Sequence, residues 1–364
     1  MDKLKVLSLF DGISCGRLAL ERAGIPVSGY AAFEIDKYAM AISRYNYPDI
    51  VQHGDVMEAD FSMFADYGMV IGGSPCTFWS CAKNNRREID KTGNGWRLFQ
   101  RFADAVRIVC PQWFLYENVA SMPANIKTYI SEELGVEPVL INSALVSAQQ
   151  RKRLYWTNIP GVKQPPDRGI LLKDILETGI VCREKSYCID ACYYKGGNHS
   201  SPHKQSGKRC MVYEPLGAAL RTREDDAGKF KRLEVRGDGK CNSLTTVLTD
   251  SMVCTPVKIG EIGNGGQGFR VYSVSGKTVC MSANGGGAGA LTGLYKIDLP
   301  DGDYIIRKLY PIEAERCQTL NDGYTAFGVD ASGKTVPISN TQRYKCIGNG
   351  WTVDVIAHIL SYIR

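Results

Sequence analysis

A cysteine that directly follows a proline, in Gly72-Gly73-Ser74-Pro75-Cys76, is the first place where residue type and setting could do chemistry. The glycines let another group approach the backbone. Pro75 fixes its own φ and keeps Ser74 extended, so the thiol sits on a stiff loop. A free thiol ionises near about 8.5 and must be partly thiolate to attack carbon. Alone, such a cysteine is more often a small buried hydrophobe. Other residues give it company. Glu117, in Tyr116-Glu117-Asn118-Val119, can be protonated or share a proton with a substrate ring nitrogen. Gln149, Arg151 and Arg153 alternate along an extended run and so face one side. Two guanidinium groups there can reach a carbonyl or a phosphate.

A second group of residues could hold a ligand. Leu9-Phe10-Asp11-Gly12-Ile13-Ser14-Cys15-Gly16 reads as a strand, a glycine turn and a helix start, whose N–H groups can hold an anion. Glu34 and Asp36 follow about 20 residues later, where an acid can accept from ribose hydroxyls. Asp55, in His53-Gly54-Asp55-Val56, could meet an adenine amino group. Each acid alone is more often a helix cap. Three in register at successive strand ends describe a nucleoside-bearing ligand across the sheet edge.

The elements that must position these groups are legible in the apolar pattern. Lys5–Phe10, Gly29–Ile35, Tyr67–Ile71 and Trp113–Tyr116 read as buried strands, and Gly16–Arg22, Tyr38–Tyr45 and Leu98–Val109 as helices. The alternation implies an α/β, Rossmann-like domain with a parallel sheet covered on both faces. Pro138–Leu145 and Arg153–Asn158 are too close in sequence for a crossover and predict a hairpin. After Pro160 the chain turns glycine-rich and strand-like, as at Val212-Tyr213, Ser243–Leu248, Arg270–Val274 and Thr278–Met281. Residues 239–245 and 276–282 echo one another weakly, and Gly285-Gly286-Gly287 reads as a mobile loop. The whole net charge of +6 lies between 160 and 310, which suits a polyanionic partner. Val355, Ile356, Ile359, Leu360 and Ile363 fall on one helical face that needs the first domain to pack on. The basic β-rich stretch is therefore expected to be an insertion.

Taken in order, Phe-x-Gly, Glu-x-Asp, Gly-Asp-Val, Gly-Gly-Ser-Pro-Cys, Glu-Asn-Val, Gln-x-Arg-x-Arg, Arg316-Cys317-Gln318-Thr319-Leu320 and Gly348-Asn349-Gly350 resemble the DNA cytosine-5 methyltransferase family. The resemblance covers roughly residues 4–158 and 307–364. It implies transfer of a methyl group from S-adenosylmethionine to carbon 5 of a flipped cytosine in a specific DNA sequence. Cys76 would add covalently to carbon 6. Glu117, Arg151 and Arg153 are the further catalytic residues it implies. Phe10, Gly12, Glu34, Ile35, Asp55, Val56, Pro75, Leu98, Asn349 and Gly350 match cofactor-binding positions. Residues 1–159, completed by 340–364, would be the catalytic domain, 160–306 the target-recognition domain, and 307–339 a connection between them. One departure stands out: Ser14 and Cys15 occupy positions where the family usually has two glycines. Double-stranded DNA is the expected partner, with a cognate restriction enzyme as a candidate second one. The expected state is a monomer in the cytoplasm of a bacterial or phage-infected cell.

Other readings stay open at this level. Transfer RNA could be the substrate of the same chemistry, although a basic insertion favours a duplex. The fold could also serve a binding or regulatory protein without catalysis. Cys182, Cys188, Cys192, His199, His203 and Cys210 lie close together, but their spacing is poor for zinc and no metal is expected. The 13 scattered cysteines do not form a disulfide framework. No run of about 18 apolar residues predicts a membrane span, and the first apolar run is too short for a signal peptide.

Overall fold

A computed structural model describes residues 3–80, 87–178, 181, 183–194 and 306–363, and the backbone of strands lying between 211 and 272. Its centre is a seven-stranded sheet ordered β3-β2-β1-β4-β5-β7-β6. The strands are β1 (Leu4–Leu9), β2 (Val27–Phe33), β3 (Val51–Gln52), β4 (Met69–Gly72), β5 (Trp113–Val119), β6 (Val139–Asn142) and β7 (Lys152–Thr157). β1 to β5 run parallel, and β7 lies antiparallel between β5 and β6. The predicted hairpin is therefore present, and β7 starts at the edge where β5 ends: Val119 pairs with Arg153.

The strands read as unbroken apolar runs because both faces are covered. On β1, Val6 points into one core and Leu7 and Leu9 into the other. On β4, Ile71 and Val70 divide in the same way, as do Leu115 and Tyr116 on β5. The first face carries α1 (Cys15–Arg22), α2 (Lys37–Asn46) and the closing helix α7 (Val353–Leu360). The second carries α3 (Asn94–Val109) and α4 (Ala124–Leu134). β3 is only two residues long, and Gly54 turns the chain at φ 80° just beyond it. α3 begins four residues before Leu98, and β5 runs on through Glu117 and Asn118.

Residues beyond Pro160 do not leave the core at once. Leu172, Ile175, Ile189 and Tyr193 share the first-face core with Leu18 and Ile356. The chain then continues through β8 (Met211–Tyr213), β9 (Leu216–Asp225), β10 (Gly228–Val235), β11 (Met252–Cys254), β12 (Lys258–Glu261) and β13 (Arg270–Tyr272). It returns in β14 (Ile306–Lys308), which pairs with β8. Strands at Val212-Tyr213 and within Arg270–Val274 match expectation; Ser243–Leu248, Thr278–Met281, the paired echoes and Gly285-Gly286-Gly287 lie outside the described residues. α5 (Pro311–Cys317), the hairpin β15 (Phe327–Val329) and β16 (Thr335–Pro337), and α6 (Asn340–Asn349) precede α7. Glu315 of α5 is buried as a charge, yet it pairs with Arg343 at 2.9 Å and accepts from the Thr325 and Gly323 amides.

Candidate active site

β4 ends at Gly72, and the chain passes directly into Gly73-Ser74-Pro75-Cys76. This loop is fixed from β5. Ser74 Oγ lies 2.6 Å from the Tyr116 hydroxyl, and Asn118 Nδ2 donates to the Ser74 carbonyl at 3.1 Å. A Cβ on Gly73 would stand 3.1 Å from Glu117 Oε2 and from Trp351 Nε1, so a larger residue would crowd the loop against the acid. Cys76 opens a single turn and is partly buried. Burial pushes its thiol above the ordinary range. Arg153 and Arg151 pull it down, while Glu117 and Cys188 push it up.

Glu117 is 8% exposed on β5. Arg153, diagonal to it on β7, sets Nε 2.9 Å from Glu117 Oε1. Trp351 Nε1 donates to the other oxygen at 3.2 Å. The sheet thus brings Cys76, Glu117 and Arg153 to one edge. Of the expected trio Gln149, Arg151 and Arg153, only Arg153 lies within β7; Arg151 and Arg153 both reach Cys188 Sγ, and their further targets differ. Gln149 Nε2 donates to the Cys317 carbonyl and to Gln318 Oε1. Arg151, 4% exposed, donates to the carbonyls of Ile189, Gly348 and Gly350 at 3.0–3.3 Å. Gly348 and Gly350 flank the C-terminal end of α6, where a cation is favoured. Arg151 is therefore a positioning residue that ties the late chain to the cleft.

The glycine turn after β1 is strained. Phe10, Gly12 and Ser14 have φ of 58°, 63° and 62°, and only glycine adopts that region freely. Ser14 is held there by bonds to Asp11 Oδ2 at 2.5 Å and Ser43 Oγ at 2.7 Å. The departure from two glycines is thus accommodated by side-chain hydrogen bonds. Cys15, buried behind the turn, is pushed up to about 12 by desolvation and packs 3.1 Å from where a Gly350 Cβ would be. Asp11, enclosed by Ser8, Ser14 and Tyr30, is raised to about 6 by burial.

At the end of β2, Glu34 Oε1 accepts from the Ile35 and Asp36 amides, and Oε2 from Gly12 N at 2.8 Å. A carboxylate has about four acceptor sites, so one on Oε2 is left for a hydroxyl donor. Ile35 is 73% exposed, an apolar face a purine could cover. Asp55 caps the turn that contains Val56, and Arg101 of α3 fixes that turn by donating to the Val56 and Ala59 carbonyls. Asp36 binds Lys345 of α6 at 2.6 Å, which brings Asn349 and Gly350 to the same edge. Leu98 is half-buried on α3. Polar and apolar groups here fit a nucleoside with a charged tail at the glycine turn.

Sequence reasoning missed Trp351. Its signal was an aromatic directly after Gly348-Asn349-Gly350, but only the fold shows it reaching Glu117. Among the described residues no group of three or more His, Cys, Asp and Glu could hold a metal; Cys182, His199, His203 and Cys210 lie outside them.

A family model described as C-5 cytosine-specific DNA methylase matches residues 4–364. The type II methyltransferase M.HhaI of Haemophilus parahaemolyticus is 27% identical over 360 residues, 98% of this chain and 93% of that protein. The orphan methyltransferase M.Rho11sI of Bacillus phage rho11s is 27% identical over 82% of this chain, which spans 62% of that protein. Among solved structures, the Entamoeba histolytica methyltransferase EhMeth matches with a TM-score of 0.60 at 12% identity, covering 100% of this chain and 98% of that one. A mutant of Spodoptera frugiperda DNMT2 matches with 0.57 at 14% identity, covering 99% of each chain. At such identity these two likenesses show the fold alone.

Proposed function

Since the chain belongs to the C-5 cytosine-specific DNA methylase family, whose methyl donor is S-adenosylmethionine, we propose that Cys76 is its covalent nucleophile and that Glu117 and Arg153 hold the target base. The observation that carries this reading is the convergence of Cys76, Glu117 and Arg153 from β4, β5 and the antiparallel β7 on one edge, with Glu117 and Arg153 paired at 2.9 Å.

Carbon 5 of cytosine is a poor nucleophile. Addition of the Cys76 thiolate to carbon 6 forms an S–C6 bond and moves the ring electrons so that carbon 5 becomes enamine-like. Negative charge develops at N3, where Glu117 shares a proton. Arg153 turns from Glu117 towards the O2 carbonyl. S-adenosylmethionine, when bound, supplies the electrophilic methyl group that the activated carbon 5 attacks. Loss of the carbon-5 proton to a base then lets the Cys76 sulfur leave and restores the ring. Phe10, Gly12 and the start of α1 would hold the methionine end of the donor, Glu34 the ribose, and Ile35, Asp55, Val56 and Leu98 the adenine, with Pro75, Asn349 and Gly350 closing the pocket. A stacked cytosine exposes neither face, so the base must be flipped out, at a few kcal/mol that backbone contacts offset.

The basic residues between 160 and 310 support placing DNA recognition there. The core shared by Leu172, Ile189 and Tyr193 supports starting the recognition unit after Tyr194, later than residue 160. The family supports double-stranded DNA as substrate. Among the described residues no helix is long and apolar enough to cross a membrane. The bacterial and phage relatives support a cytoplasmic location, and a monomer is the state this reading expects. M.HhaI is named a type II methyltransferase and M.Rho11sI an orphan, so a cognate restriction enzyme stays a candidate partner.

DNA carrying 5-fluorocytosine at the target tests the nucleophile, because fluorine blocks loss of the carbon-5 substituent. A denaturant-stable adduct should form with the native protein and be absent with Cys76→Ser; an adduct that persists moves the nucleophile elsewhere. Bisulfite sequencing of DNA from a methylation-free host expressing the protein would reveal the target word.

A further inference from the structure

Arg151 is a buried cation whose partners, among the described residues, include no carboxylate within ion-pair distance. Its acceptors there are neutral backbone carbonyls and one sulfur, Cys188 Sγ, 3.3 Å from Nη1. A buried charge without a counter-ion is strongly unfavourable. The same sulfur lies 3.9 Å from Nη2 of Arg153. Arg153 already pairs with Glu117, so the unmatched cation of the pair is Arg151. Two guanidinium groups around one sulfur form an environment that stabilises a thiolate.

We propose that Cys188 is held as a thiolate, the counter-ion of Arg151, and is the thiol of the cleft that reacts first with soft electrophiles. Around it stand Arg151 just before β7 and Arg153 within it, Cys76 from the loop after β4, and Glu117 behind Arg153 on β5. Burial pushes the Cys188 thiol up, but the two arginines outweigh it and leave it below the ordinary range. Cys76 moves the other way, with Cys188 among the charges that raise it. The reactive thiol of the resting protein is therefore not the nucleophile of methyl transfer. Cys188 instead keeps Arg151 clamped on the α6 carbonyls and discourages a second negative charge at Cys76.

Iodoacetamide labelling, read residue by residue by mass spectrometry, tests this without DNA or methyl transfer, so its outcome is independent of the proposed function. The Cys188 sulfur displaces iodide: an S–C bond forms, the C–I bond breaks, and iodide leaves with the electron pair. No proton is lost, because the sulfur is already ionised. The exposed Cys110 serves as reference. An ordinary thiol is roughly 3% thiolate at neutral pH, and its rate rises about tenfold per pH unit below its pKa. Labelling of Cys188 should exceed that of Cys110 at neutral pH and climb less steeply as pH rises. A Cys188 profile that climbs in parallel with Cys110, or a Cys188 that stays unlabelled while Cys110 reacts, overturns the proposal. In Cys188→Ala the Cys76 labelling profile should shift to lower pH; an unmoved profile refutes the coupling between the two thiols.

Discussion

Glu117 is gripped at both oxygens before any substrate arrives, by Arg153 on one side and Trp351 on the other. Of its roughly four acceptor sites about two stay open, so a proton shared with a substrate nitrogen need not displace either donor. Glu117→Gln preserves shape but cannot share a proton in the same way. Single-turnover methyl transfer should fall by about a hundredfold or more, while DNA affinity in a gel-shift assay changes little. Burial raises the Cys76 thiol and Arg153 lowers it. The rate should therefore rise with pH as the thiolate fraction grows, and Arg153→Ala should move that rising limb to higher pH in a pH–rate profile. Asp11 titrates in the opposite sense for stability. Its folded value of about 6 lies above the ordinary 3.8, so its contribution is fully present below about 4 and fades as pH rises through about 6. Asp11→Asn should accordingly gain stability relative to the native protein over that window, seen as a widening gap in melting temperature.

At the scale of elements, the closing helices hold the site together from behind. A Cβ on Gly348 would lie 2.1 Å from the Asp190 backbone carbon, so α6 and the segment around Ile189 meet backbone to backbone. Gly348→Ala should cost about 3 kcal/mol by overpacking, measured as a lower denaturation midpoint, and should loosen the Arg151 contacts at Gly348 and Gly350. These long-range meetings explain what sequence reading could reach. The apolar periods of β1, β2, β4, β5 and α7 were legible, because a sheet buried on both faces leaves its mark on every strand. Cys76, Glu117 and Arg153 were legible as one site, because strand ends place them. Arg151 on helix carbonyls, Trp351 on Glu117 and Cys188 against two arginines were not. Each depends on residues 35 to 234 positions apart, joined only by packing.

For the whole molecule, charge is the lever. Since the excess of +6 falls between 160 and 310, phosphate contacts from that region should release counterions. Binding to duplex DNA should weaken steeply and linearly in log affinity against log salt concentration. A substrate bound chiefly through the cleft would show a shallow slope instead, which fluorescence anisotropy over a salt series would detect. β8 and β14 add a separate consequence. Met211 pairs with Lys308 and Tyr213 with Ile306, so the chain departs and comes back through adjacent, hydrogen-bonded strands. Paired residues of antiparallel strands lie about 5 Å apart. The closure entropy of whatever lies between them grows only slowly with its length. The stretch from Tyr213 to Ile306 is thus wired like a plug-in cartridge: grafts of other lengths and sequences should be exchangeable at this doorway without unfolding the seven-stranded sheet, a result that a melting curve of such a graft would check.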